Sequence, residues 1–162
     1  KTLMQDADNS ISRRQSYLAV AYFAFQNKPF LGYGPGAFDR IYAGSEISRA
    51  YLKEPGSSRD AHNTYVEVAV GVGVAGLAIY LFIIYKALKN FTMARVQFKK
   101  AGRDDLFHLA GAYRTSFLSI LIYYFMLSRF TFKYFWLSLA ISQIVLTLSQ
   151  SYRAENQEKN RD

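Results

Sequence analysis

Apolar and polar residues are strongly segregated along the chain. Residues 1–65 mix apolar, charged and small polar residues, whereas residues 66–150 form long apolar runs interrupted by one basic stretch. The first run, residues 66–85, contains one charged residue, Glu67, close to its start. About 20 consecutive apolar residues suffice to cross a bilayer as a helix, so this run predicts a membrane span. A buried helix of a soluble protein is the alternative, but such helices are rarely apolar on every face.

Two further runs, residues 115–127 and 134–149, predict a pair of membrane spans that extend into their flanks. Residues 86–114 lie before them and carry seven Lys and Arg against two Asp. Short loops rich in Lys and Arg lie on the cytoplasmic side of bacterial membranes. We therefore expect residues 1–65 to be periplasmic, residues 86–114 to form a basic cytoplasmic loop and the polar tail, residues 151–162, to be disordered in the cytoplasm.

The region before the first span has its own pattern. Residues 11–25 show a hydrophobic face at helical spacing and predict a helix that ends before Pro29. Three Gly and one Pro within residues 32–36 predict a structural turn. Residues 37–61 lack a strong period and are expected to form an irregular, water-facing loop with a short helix near residues 47–52. The predicted fold is all-α, a polytopic transmembrane protein with a periplasmic loop region bearing short helices.

Composition narrows the possible functions. The chain has no Cys, which excludes disulfides, thiolate metal sites and a Cys nucleophile. Neither of its two His lies near a carboxylate cluster, so no metal site is expected. A net charge of +8 would suit a soluble nucleic-acid-binding protein. Membrane topology explains the placement of the excess charge better, and we expect no nucleic-acid partner. A polar start at Lys1 without a signal peptide predicts the C-terminal part of a longer membrane protein.

Three groups of residues near the first span carry a family resemblance. They are Arg13-Arg14 at a helix start, the sequence PFLGYGPGAF at residues 29–38, and AHNTY at residues 61–65. In this order before a Gly-rich span, over residues 12–77, they resemble the O-antigen ligase and polymerase superfamily of membrane glycosyltransferases. Arg14 lies fifteen residues before Pro29 and matches the family Arg better than Arg13 does.

The resemblance implies transfer of a glycan from undecaprenyl diphosphate to lipid A-core, to a growing polysaccharide or to a protein hydroxyl. The reaction would occur at the periplasmic face of the bacterial inner membrane, among membrane lipids, without metal or other cofactor. A lipid diphosphate is a good leaving group and needs no glycosidase-type acid. Arg offers it a permanent positive charge in a rigid fork. A His, with an ordinary pKa of about 6.5, suits proton transfer from an acceptor hydroxyl.

On this basis His62 and Arg14 are the predicted catalytic residues. Additional substrate-binding roles are assigned to Arg13, Arg49, Arg59 and Asn63. Glu67 is considered as a partner for His62, since an ionisable group at the edge of a span invites a functional role.

Two other functions stay open at this stage. A transporter or flippase for lipid-linked glycans would explain the spans and the arginines without requiring Arg14 and His62 to converge. A soluble basic helical protein that binds nucleic acid is the second alternative. The choice between ligase and polymerase is not encoded in the shared motifs.

Overall fold

The computed structural model describes residues 2–51, 60–127 and 133–159, with side chains at 14–49, 60–127 and 133–155. The regular secondary structure in these ranges is helical and includes no strand, which confirms the all-α class. The helices are α1 Thr2–Asn27, α2 Phe38–Gly44, α3 Glu46–Tyr51, α4 Thr64–Lys100, α5 Asp104–Tyr123 and α6 Lys133–Lys159. The chain divides into two compact units. Unit 1 is Lys1–Ile79 with Tyr123–Phe130, and unit 2 is Tyr80–Ile122 with Thr131–Asp162.

Unit 1 has a small core between α1 and α2. Apolar residues at helical spacing on α1 face Phe38 and Tyr42 of α2, and the α1 residues are Tyr17, Val20, Ala21 and Ala24. The Tyr42 hydroxyl lies 2.9 Å from the Ser16 hydroxyl, and both are buried. The predicted short helix is confirmed as α3, but the expectation of an irregular loop was wrong for α2. Seven residues are too few to show a period, and helices this short are stabilised by packing.

Helix α4 is interrupted at Gly73. This residue has φ 66° and ψ −170°, so residues 64–72 and 74–100 are two helical segments rather than one. The predicted membrane helix at residues 66–85 is therefore helical on both sides of Gly73, an interruption that the sequence analysis did not predict. The conformation at Gly73 is one that only glycine adopts readily.

Residues 29–34, here called the docking loop, fill this interruption. The Tyr33 N–H donates to the Val70 carbonyl at 3.0 Å and the Gly34 N–H donates to the Gly71 carbonyl at 2.7 Å. In return the Val74 N–H donates to the Pro29 carbonyl at 2.7 Å. A helix break leaves backbone groups without their intrahelical partners, and the docking loop supplies replacements. Such replacement is what an interrupted helix in an apolar environment requires.

Among the described residues, one helix is long and apolar enough to cross a membrane, and it is α4. Only 28% of its most apolar window is buried within the protein. Large side chains such as Ile79 and Phe82 are more than half exposed on its surface. Helices α5 and α6 do not meet the same criterion over the described ranges, so the two additional spans remain predictions.

Unit 2 packs α5 and α6 against the second segment of α4. Ala94, Phe98 and Ala110 form a buried cluster, to which Val145 and Tyr152 of α6 add partly buried side chains. Residues 86–114 were predicted as a loop, but they are helical on both sides of a turn at residues 101–103. The basic stretch is thus a helical hairpin. The tail is also helical through Lys159, because α6 continues beyond its apolar part.

Candidate active site in unit 1

His62 lies in the turn that leads into α4. Its φ is 50°, in the left-handed region that few non-glycine residues occupy, and its side chain is exposed. The Asn63 side-chain oxygen accepts hydrogen bonds from the backbone N–H groups of Tyr65 at 3.0 Å and Val66 at 3.2 Å. Asn63 is therefore the N-cap of α4. The cap fixes the chain immediately after His62.

Glu67 fixes the chain immediately before His62. Its carboxylate accepts a hydrogen bond from the Ala61 N–H at 3.2 Å, six residues earlier in the chain. The structure gives Glu67 this backbone contact beside His62, and a side-chain pairing between Glu67 and His62 stays a prediction. The turn is thus tied on both sides of an exposed imidazole, which limits how far His62 can move.

Tyr17 of α1 forms one wall beside His62. The two ring centroids are 5.8 Å apart, with their planes tilted by 39°. Tyr17 is buried, and its ring also contacts the ring of Tyr42 at 4.9 Å in an edge-on arrangement. The imidazole therefore rests against the core of unit 1 while the rest of its surface faces outward.

Arg14 lies three residues before Tyr17 on the same face of α1, because side chains at this spacing are helical neighbours. Its guanidinium contacts the Met126 sulfur at 3.9 Å and is exposed. Where side chains are described, no carboxylate pairs with Arg14. The structure therefore places an exposed cation, without an acidic partner among the described side chains, one helical turn from the residue that contacts His62.

The segment that follows α5 completes this region of unit 1. The Thr64 N–H donates to the Tyr124 carbonyl at 2.9 Å, and the Thr64 hydroxyl donates to the Leu127 carbonyl. The Tyr65 and Phe125 rings are 4.6 Å apart. Residues 124–127, which the sequence predicted as the end of a span, thus form a turn that anchors the start of α4 and brings Met126 to Arg14.

A family model for O-antigen ligase matches residues 1–81, which is half of the chain and includes α1, the docking loop and the His62 turn. The chain belongs to the O-antigen ligase family. Membership in this family indicates a role in membrane-associated glycosyl transfer related to lipopolysaccharide. Comparisons with curated proteins and with solved structures give no match.

The remaining predicted site residues of this O-antigen ligase family chain lie in different places. Arg49 is exposed in the last turn of α3, and no described contact joins it to His62 or Arg14. Arg59 and the side chain of Arg13 lie outside the described residues. Asn63 is adjacent to His62, but its side-chain oxygen is used in capping α4. Within the described ranges, no group of three or more His, Asp and Glu is arranged to hold a metal ion.

Proposed function

We propose that this protein transfers a glycan from undecaprenyl diphosphate to an acceptor hydroxyl, on lipid A-core or a growing polysaccharide. The observation that carries the proposal is the arrangement around Tyr17. Its ring contacts His62, and an exposed Arg14 without a described acidic partner lies one turn away on α1. Both residues fall within the part of the chain that matches the O-antigen ligase family.

In the proposed reaction, the bond between the anomeric carbon of the glycan and the diphosphate oxygen breaks. A bond between that carbon and the acceptor oxygen forms, and undecaprenyl diphosphate leaves as an anion. His62 accepts the proton of the acceptor hydroxyl, and Arg14 stabilises the negative charge that develops on the leaving diphosphate. Asn63 and Glu67 act as positioning residues, because they hold the backbone on either side of His62.

The backbone of His62 supports a functional reading of its position. A non-glycine residue in the left-handed region costs on the order of 1–3 kcal/mol and persists only where the surrounding structure imposes it. The Asn63 cap and the Glu67 contact provide that constraint. An exposed imidazole held in one place loses little entropy when an acceptor binds, which favours its use as a base.

The proposal includes a location. We place the protein in the bacterial inner membrane, with several spans and with residues 1–65 on the periplasmic side. The charge of residues 86–114 supports this orientation, since Lys and Arg of short connections remain in the cytoplasm. The donor is then delivered to the side on which His62 lies.

The test compares His62→Ala and Arg14→Ala in the intact protein with matched controls in unit 2. His108→Ala and Arg153→Ala remove the same residue types from exposed positions. We expect each site variant to lower transfer of lipid-linked glycan to acceptor by roughly 10²–10³-fold, the usual range for a general base or a charge-stabilising group. The controls should keep full activity. Normal product from both site variants, at normal protein levels in the membrane, would reject the assignment.

The intact protein also serves to distinguish a transferase from a non-catalytic transporter of lipid-linked glycans. Purified protein is mixed in detergent with donor and acceptor, where no membrane divides two compartments. A transferase forms the joined product under these conditions. A transporter leaves both reactants unchanged.

A further inference from the structure

The helical hairpin of unit 2 carries more positive charge than its acidic residues neutralise. Of its two acidic residues, Asp104 pairs with Lys99 and Asp105 pairs with Arg103, each at 2.8 Å. The Arg103 guanidinium holds the pKa of Asp105 down to about 2. Both carboxylates are therefore committed within the turn. Five cations of the hairpin have no acidic partner among the described residues, and these are Lys86, Lys89, Arg95, Lys100 and Arg114.

Arg95 is half-buried between α4 and α5. Its guanidinium carbon lies 4.5 Å from the centre of the Phe107 ring, where it makes a cation–π contact. The Arg95 side chain also lies across Gly111, and a Cβ atom on that glycine would be 3.3 Å from the Arg95 Nε. The Nε–H is buried and has no described hydrogen-bond partner. Leaving a buried donor unpaired is unfavourable, more so when the group is charged.

Arg114, one helical turn after Gly111 on α5, also has a buried Nε–H without a described partner. The residue as a whole is half-buried. Helical side chains lean toward the N-terminus of their helix, which for Arg114 is the direction of Gly111 and hence of Arg95. Two guanidinium groups that start from neighbouring positions repel each other unless an anion lies between them.

The same stretches of α4 and α5 carry exposed apolar side chains on their outer surfaces. Met93 and Val96 on α4, and Leu109 and Tyr113 on α5, are each more than one third exposed. A ligand that fits must therefore offer an anionic group to the arginines and apolar chains to their surroundings. Inorganic phosphate provides only the first. An anionic phospholipid provides both, and basic sites between helices on the cytoplasmic side of membrane proteins are suited to such headgroups.

We propose that Arg95 and Arg114 bind the phosphate of an anionic phospholipid on the hairpin of unit 2. The site uses residues outside the family match and does not depend on glycosyl transfer at His62. Gly111 is part of the site, because its missing side chain lets the Arg95 guanidinium lie against α5.

The experiment places the intact protein in nanodiscs of phosphatidylcholine alone, or of phosphatidylcholine mixed with phosphatidylglycerol. Lipid that stays bound after extraction is counted by native mass spectrometry, and the thermal midpoint is recorded. The double variant Arg95→Gln, Arg114→Gln is compared with Lys100→Gln, Arg153→Gln, which removes the same charge from exposed positions. We expect phosphatidylglycerol retention to weaken on the order of ten-fold for each arginine lost. The control should retain the lipid within a few-fold of the parent.

The thermal midpoints provide an independent readout. Phosphatidylglycerol should raise the midpoint of the parent and of the control, but not that of the double arginine variant. Equal losses in both double variants would show attraction by overall charge only and would overturn the proposal. Stabilisation by inorganic phosphate equal to that by phosphatidylglycerol would also overturn it. If the glutamine variant does not fold, the double variant Arg95→Lys, Arg114→Lys replaces it in the experiment. We expect this variant to retain phosphatidylglycerol more weakly than the parent, because Lys lacks the paired donors of Arg.

Discussion

Replacement of Gly73 by Ala is expected to separate the docking loop from α4. The added Cβ would overlap the Phe30 carbonyl group and would lie 2.7 Å from the Leu31 nitrogen. Both are backbone atoms, so a rotamer change cannot relieve the contact. The substitution also forces an alanine into the φ 66°, ψ −170° conformation, which is essentially restricted to glycine.

The magnitude follows from two effects. Backbone strain at such a position costs on the order of 1–3 kcal/mol. If the chain instead avoids the strain by moving the docking loop away, the three hydrogen bonds that Tyr33, Gly34 and Val74 make across the interruption are lost. Each is worth about 1 kcal/mol net when it is lost to water, and more when its partner stays buried. The two routes together bound the destabilisation at roughly 1–3 kcal/mol, which is large for a single methyl group.

The measurement is the thermal or denaturant midpoint of the intact protein in detergent, for Gly73→Ala, Gly71→Ala and Gly44→Ala. A Cβ on Gly71 would approach the Gly34 carbonyl oxygen to 3.1 Å, and a Cβ on Gly44 meets nothing within 4 Å. We expect stability to be lowest for the Gly73 variant, intermediate for the Gly71 variant and unchanged for the Gly44 variant. A Gly73 variant as stable as the Gly44 variant would refute the docked arrangement of the loop.

Three further predictions concern single interactions. Asn63→Ala should lower stability by about 1 kcal/mol through loss of the α4 cap, while Asn63→Asp should keep most of it, as thermal midpoints will show. Ser16→Ala should cost about 1–3 kcal/mol by removing a bond to the buried Tyr42 hydroxyl, and adding Tyr42→Phe should recover part of the loss. Because Arg103 lowers the pKa of Asp105 to about 2, the stability from that pair is complete above about pH 4 and fades as pH falls toward 2. The midpoint of Asp105→Asn should change less with pH through this window than that of the parent.

The sequence predicted the helical class, α1 and α3, but not the interruption of α4. The apolar run gives no sign of it, because glycines are common in membrane helices that remain unbroken. The interruption depends on hydrogen bonds between the docking loop and residues 70–74, and these two segments are far apart in the sequence. Helix α2 was missed for a related reason, since Phe38 and Tyr42 reveal their role only when α1 packs over them.

The candidate site was predicted in part. Arg14 and His62 came from the ordered motifs, and family membership supports the motifs on which they rest. Tyr17, the residue that connects them, was not singled out, although its spacing of three from Arg14 was a usable signal. Met126 and the turn at residues 124–127 had no such signal, because their approach to Thr64 is set by tertiary packing.

The family motifs of unit 1 meet at the two ends of one short helical segment. Residues 64–72 begin at the His62 turn and end where the docking loop enters α4. The docking loop follows directly from α1, which carries Arg14 and Tyr17. The position of His62 relative to Arg14 is therefore fixed by both ends of this segment, by the Tyr17 contact at one end and by the loop hydrogen bonds at the other.

This arrangement links the stability of the interruption to the chemistry proposed for the site. Small errors in the placement of reacting groups lower rates steeply. In a folded fraction of Gly73→Ala, glycan transfer should therefore fall by more than the loss of folded protein explains, although Gly73 touches neither substrate nor His62. Gly44→Ala should leave the rate per folded molecule unchanged. Equal rates per folded molecule for the two variants would show that the docking loop supports the fold of unit 1 without positioning its site.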